Sequence, residues 1–79
     1  MEILILGTGC AKCKRLEKMT TDLVAENGIQ AKIEKVEDIL KIMQYGVMST
    51  PGLVIDGKVV LSGRLPSASE LKEIITKSK

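Results

Sequence analysis

The chain predicts an α/β fold with the element order β-α-β-α-β-β-α, a four-stranded mixed sheet flanked by three helices. Three observations carry that prediction. A short Ile/Leu run, a stretch of helical periodicity and a stretch of period two follow one another through residue 36. An Asp-Gly pair separates two short apolar runs, and a helix-capping pattern precedes the last apolar stretch. A strand, helix and strand in one sheet imply a parallel pair with a right-handed crossover, and a hairpin adds an antiparallel pair. At 79 residues the chain makes one domain spanning 1–79, because so short a chain buries only somewhat more than about 60% of its unfolded surface.

Glu2 to Leu6 is too short for a helix and β-branched at Ile3 and Ile5, which fits a buried central strand. From Ala11 to Glu26, Leu16, Met19, Leu23 and Val24 recur at helical intervals with charges on the other faces, and Asn27-Gly28 closes the helix. Ile29, Ala31 and Ile33 alternate with Gln30, Lys32 and Glu34, predicting a half-buried strand through about Val36. Ile39, Leu40, Met43 and Val47 return to helical spacing, with Asp38 as cap and Gly46 as stop. Leu53 to Ile55 and Lys58 to Leu61 flank Asp56-Gly57 as a two-residue hairpin. Ser67-Ala68-Ser69-Glu70 has capping-box spacing ahead of Leu71, Ile74 and Ile75, so the chain finishes as an amphipathic helix.

Composition narrows the function. Twelve Lys and Arg against ten Asp and Glu leave only +2, and Tyr45 is the single aromatic residue, so nucleic acid is excluded as a partner on charge and stacking grounds. The longest apolar run, Ile3 to Leu6, falls far short of the roughly 20 residues that span a bilayer, and no signal-peptide pattern opens the chain. A cytoplasmic protein with no membrane contact is expected, and a monomer is the simplest oligomeric state. With no His, the usual imidazole acid or base, the Cys-His dyad and His-containing zinc sites are absent. Chemistry must then run through the two cysteines, Cys10 and Cys13.

Cys10-Ala11-Lys12-Cys13 stands where the first strand hands over to the first helix. Cys10 falls at the helix N-terminus, where unpaired backbone N–H groups, the helix dipole and the nearby Lys12, Lys14 and Arg15 favour thiolate over thiol. Cys13 lies one turn in and is partly covered, so it keeps its proton longer. A thiolate that attacks a substrate disulfide, followed by a second thiol that resolves the mixed disulfide, makes a complete dithiol–disulfide cycle.

Cys10-Ala11-Lys12-Cys13 after a first strand, Thr50-Pro51 before a hairpin, and a closing helix resemble the thioredoxin and glutaredoxin superfamily. The chain is most similar to the small redox-active disulfide proteins of archaea and bacteria, and the resemblance covers nearly all of it. It implies a thioredoxin-like, glutaredoxin-sized fold and a thiol–disulfide oxidoreductase that reduces protein disulfides. Cys10 would be the attacking cysteine and Cys13 the resolving one. Pro51 would be a cis-proline facing the dithiol, with the backbone at Thr50 and Pro51 pairing with an extended substrate. The implied partners are disulfide-containing proteins and an upstream reductase, either a thioredoxin reductase or a ferredoxin-linked one. No bound organic or metal cofactor is implied beyond the Cys10–Cys13 pair. Typical thioredoxins carry an aromatic residue before the first cysteine and Gly-Pro between the two, where this chain has Gly9 and Ala11-Lys12. Ser62-Gly63-Arg64 only faintly echoes a glutathione site, and glutathione is not assigned.

Two other readings of the cysteines compete. A structural disulfide gains little from so short a loop. A soft-metal site, above all that of a Cu(I) chaperone, also presents two cysteines at this spacing after a first strand. That family places Met and a polar residue ahead of the first cysteine and finishes with a strand, whereas this chain has Thr8-Gly9 and a closing helix. Lys12, Lys14, Arg15 and Lys18 suggest a basic collar that draws acidic partner surfaces to Cys10, with Lys12 and Lys14 nearest the thiol. Plain solvation of exposed lysines is the simpler account. Met19 and Met43 are read as core; Met48 is read as core filling, with the lining of a partner groove as its alternative; Tyr45 closes the second helix, covering the dithiol being its alternative; and Gly7 and Gly9 are turn residues.

Overall fold

The computed structural model describes residues 1–77. Strands β1 (Glu2–Leu6), β2 (Lys32–Val36), β3 (Gly52–Ile55) and β4 (Lys58–Ser62) form one sheet in the order β2-β1-β3-β4. Helices α1 (Ala11–Glu26), α2 (Ile39–Gln44) and α3 (Ala68–Lys77) complete the β-α-β-α-β-β-α sequence. β1 runs parallel to β2 and antiparallel to β3, and β3 runs antiparallel to β4, so the sheet is mixed. β1 is apolar on both faces because it is central: Ile3 and Ile5 enter one core, Leu4 and Leu6 the other.

The larger core packs Ile3, Ile5, Leu53 and Ile55 of the sheet against Leu16 and Val24 of α1 and Leu71 and Ile75 of α3. Met19 and Leu23 pack on the same cluster, as the helical spacing requires. Thr20 is the buried polar residue among them, and its hydroxyl donates to the Leu16 carbonyl at 2.8 Å, so no polar atom is left stranded there.

The opposite core is thinner. Leu4, Leu6 and Val54 meet Ile42 and Val47, with Val36 at the margin. The helical spacing of Ile39, Leu40, Met43 and Val47 implies one shared apolar face, and the structure departs from it. Ile39, Leu40 and Met43 are exposed, while Ile42 and Val47 are buried. The helix ends at Gln44 and the chain turns through Tyr45 and Gly46, so Val47 does not continue the helical face that a longer helix would have given it. Met43 and Met48 are therefore not core residues. Tyr45 does sit at the end of the helix, as its C-cap.

The second strand also begins later than predicted. Residues 29–31 precede the ladder because β1 offers no residue opposite them: Glu2 pairs with Lys32, and the Lys32 N–H donates to the Met1 carbonyl at 2.9 Å. Ile29, Ala31 and Ile33 still pack on the larger core, so the period-two pattern identified the face correctly.

Local signals hold where local chemistry decides. The Asp38 side chain accepts from the Leu40 N–H at 2.9 Å and caps α2. Asp56 (φ 48°) and Gly57 (φ 83°) both take positive φ, the requirement of a two-residue turn whose twist matches the flanking strands. The Asp56 carboxylate also accepts the Glu2 N–H at 2.7 Å, tying the turn to the start of β1. Ser67 Oγ accepts the Glu70 N–H at 3.2 Å, one half of the expected capping box. The other half is not made: the Glu70 carboxylate is taken by Arg64, whose Nη1 donates to Oε1 at 2.8 Å.

That pair has a pH signature. The hydrogen bond from Arg64, reinforced by its charge, holds the Glu70 carboxyl below its ordinary value of 4.5. A carboxyl depressed on folding contributes stability that is complete above its unfolded value and lost as pH falls through the folded one. Glu70→Gln is therefore expected to lower stability by a constant margin at neutral pH, and the margin should shrink as pH drops below 4.5. Urea unfolding of both proteins at pH 7 and pH 3 checks this; a margin that widens in acid would contradict it.

No helix among the described residues is long and apolar enough to cross a membrane.

Candidate active site

The site forms where β1 ends and α1 begins. Cys10 is the N-cap of α1, with extended backbone (φ −69°, ψ 164°), and its sulfur accepts the Cys13 N–H at 3.2 Å. A capping position normally holds a Ser, Thr, Asp or Asn oxygen; here a sulfur occupies it, facing the positive end of the helix. Cys10 and Cys13 are joined in a disulfide with their Cα atoms 5.1 Å apart. Cys10 is exposed, whereas Cys13 is only 5% exposed, so the two sulfurs differ in access as the sequence reading expected.

Gly7 makes the buried half of this arrangement possible. A Cβ at Gly7 would lie 2.8 Å from the Cys13 Cβ and overlap its sulfur. Turn geometry is therefore not the main reason for this glycine: the strand end must pass directly against Cys13. Its own N–H donates to the Val36 carbonyl at 3.0 Å, continuing the β1–β2 ladder up to the site.

Cys13 shares a small cavity of about 120 Å³ with Gly7, Lys14, Lys35 and Glu37. Lys35 Nζ lies 3.5 Å from Glu17 and 4.0 Å from Glu37, so paired charges from β2 and the loop after it line the cavity that Cys13 also lines. Sequence reasoning did not single out Lys35 or Glu37. The signal was present: in a parallel β-α-β unit both strands end on the same side, and Leu6 pairs with Val36, so residues 35–37 must flank residues 5–7.

Thr50 and Pro51 arrive from the other side. The Thr50-Pro51 peptide bond is cis, as the family resemblance implied, and Pro51 is fully buried. Leu6 pairs with Gly52, which sets Pro51 level with the end of β1, and the Pro51 carbonyl accepts the Gly63 N–H at 2.9 Å. Thr50 and Thr8 line one groove together with Ile39, Met43 and Met48. Lys12 lies exposed in the first turn of α1 and makes no ion pair among the described residues.

Comparison with known proteins agrees with this geometry. A family model described as a thioredoxin domain matches residues 1–76. A thioredoxin from Methanothermobacter thermautotrophicus is 42% identical over 76 residues, covering 96% of this chain and 99% of that one. A thioredoxin from Methanocaldococcus jannaschii is also 42% identical, over 71 residues, covering 90% and 81% respectively. Among solved structures, the germline-specific thioredoxin Deadhead from Drosophila melanogaster superposes with a TM-score of 0.68 at 18% identity, over 96% of this chain and 78% of that one. The last similarity concerns the fold alone. The family match over nearly the whole length and two relatives at this identity establish what the cysteine motif and the closing helix pointed to: the chain belongs to the thioredoxin family.

Proposed function

We propose that the protein is a thiol–disulfide oxidoreductase in which Cys10 attacks a protein disulfide and Cys13 resolves the complex. The observation that carries the order of attack is the unequal placement of the two sulfurs, Cys10 exposed at a helix N-cap and Cys13 buried beneath it. A backbone N–H aimed at the Cys10 sulfur and the positive helix end both favour negative charge there.

In the reduced protein the Cys10 thiolate attacks one sulfur of the substrate disulfide. A Cys10–substrate disulfide forms and the other substrate sulfur leaves as a thiolate. The Cys13 thiol gives up its proton and attacks the Cys10 sulfur, closing the Cys10–Cys13 disulfide and releasing the second substrate thiolate. Two electrons pass from the dithiol to the substrate, and the two protons shed by the cysteines end on the two released thiols. The cycle needs no bound cofactor.

The backbone at Thr50 and Pro51 positions the substrate chain, a role supported by the placement of Pro51 level with the end of β1. Lys12, exposed near Cys10 and without an ion pair among the described residues, adds positive charge to the approach. The donor that restores the dithiol is a thioredoxin reductase or a ferredoxin-linked reductase, and the cytoplasm is the compartment, both by analogy with the family.

The test is dithiothreitol-driven reduction of insulin under metal-free conditions. The wild type should accelerate it, and Cys10→Ser should reduce the rate to the dithiothreitol background. Wild type that gives no acceleration yet binds one Cu(I) per reduced chain would replace this reading with that of a copper carrier.

A further inference from the structure

We propose that the surface around the disulfide selects polypeptide segments whose reactive cysteine is flanked by acidic side chains and by a large apolar one. This rests on the redox reading above and names the substrate class it acts on.

The apolar half is α2 and the segment after it. Of the six large hydrophobic side chains exposed among the described residues, five fall within residues 39–48; Ile39, Met43 and Met48 share one groove, Tyr45 lines another, and Met48 is 88% exposed. Exposed apolar residues scattered singly need no explanation, but a set gathered on one surface marks an interaction site. Ile39, Met43 and Met48 line a groove of about 220 Å³ that is bounded by Thr8 and Thr50. That is smaller than the roughly 300–1,000 Å³ of a small-molecule pocket, so its occupant is a single side chain of a larger partner. Two methionines in the lining give it a deformable, polarisable wall suited to more than one apolar shape. Thr8 stands two residues before Cys10 and Thr50 directly before cis-Pro51, so the groove is continuous with the surroundings of the disulfide.

The charged half is the first two turns of α1. Lys12, Lys14, Arg15 and Lys18 are all exposed and form no ion pair among the described residues. Of the nearby carboxylates, Glu17 and Glu37 pair with Lys35 and Asp38 accepts the Leu40 N–H, while Asp22 lies a further turn along α1, away from the Cys10 end. The positive end of the helix adds to the same field. An acidic segment is attracted to Cys10 from this side and a basic one is repelled.

The experiment compares two homodimeric peptide disulfides of equal length, each with Leu next to the cysteine and flanked either by Glu or by Lys. Single-turnover rates with pre-reduced protein are measured by quenching and chromatography. At low ionic strength the Glu peptide should react about tenfold faster or more, within the range of electrostatic steering. The ratio should fall towards one in high salt and reverse in Lys14→Glu/Lys18→Glu. Because a ratio is read, any change in the reactivity of Cys10 itself cancels. Replacing Leu by Ser in the Glu peptide should slow the wild type several-fold and leave Met43→Ser/Met48→Ser unaffected. Equal rates for the Glu and Lys peptides at low salt, or indifference of the wild type to the Leu replacement, would overturn the proposal. Insulin reduction alongside separates the two readings: activity on insulin with no discrimination between peptides overturns only the docking surface, and inactivity on all substrates overturns both.

Discussion

Cys13→Ser, mixed in its reduced form with a protein disulfide, should accumulate a covalent one-to-one complex through Cys10 instead of turning over. With the resolving sulfur replaced by an oxygen, the second attack cannot occur, and the mixed disulfide persists until an outside thiol cleaves it. Non-reducing electrophoresis and peptide mapping identify the bridge. Cys10→Ser leaves only the thiol of Cys13, a residue that is 5% exposed, so trapping should be slower by at least tenfold in that variant. Efficient trapping through residue 13 and not through residue 10 would reverse the assigned roles.

Gly7→Ala is the second change with a large expected effect. The added methyl would lie 2.8 Å from the Cys13 Cβ, and its neighbours cannot move away cheaply. Gly7 is fixed by its N–H bond to Val36, and Cys13 is held in the first turn of α1 between the strand end and the helix. Overpacking of this kind costs typically about 1–3 kcal/mol. For a domain of this size each kcal/mol lowers the melting temperature by roughly 4–8 °C. Because the clash involves Cβ as well as sulfur, it is present in both the disulfide and the dithiol forms. Thermal unfolding of both redox states should therefore show the loss, and insulin reduction should slow with it. An unchanged melting temperature in either state would show that β1 and α1 separate more easily than their packing implies.

The contrast between Gly7 and Asp56-Gly57 shows which parts of the molecule were legible in the sequence. The hairpin was readable because its geometry is settled by two adjacent residues and their φ angles. The Asp38 cap and the Ser67 half of the capping box were readable for the same reason, each resting on one side chain and one N–H within three residues. Gly7 was read as a turn residue because nothing local reveals that Cys13, six positions along, folds back against it. Glu70 was expected to close its own cap, but it found a better-charged partner in Arg64, a choice made by the loop after β4 and not by the capping pattern.

Helix α2 failed for a different reason. Ile39, Leu40, Met43 and Val47 fit a helical period well, yet only Val47 of the four is buried, because six helical residues are too few to fix a face by periodicity. Two of the residues that depart from the pattern, Ile39 and Met43, line the groove beside Thr8 and Thr50. Of the site, both cysteines and their unequal exposure were legible, whereas the cis Thr50-Pro51 bond followed only from the family resemblance. Lys35 and Glu37 were not, because they reach Cys13 only through the parallel register of β1 and β2.

The unequal thickness of the two cores divides the molecule mechanically. Cys13 belongs to α1, which is anchored by Leu16 and Val24 in the larger core, so the distance and orientation needed for sulfur-to-sulfur attack are set by the more extensively packed side of the sheet. The groove belongs to α2 and the segment after it, held mainly through Ile42 of the helix and Val47 beyond it, and regions with few buried anchors open locally at free energies below that of global unfolding. Reaction geometry and recognition thus rest on differently anchored parts of one small domain. The helix that greets a partner can give way to fit it while the cysteine pair behind it stays in register.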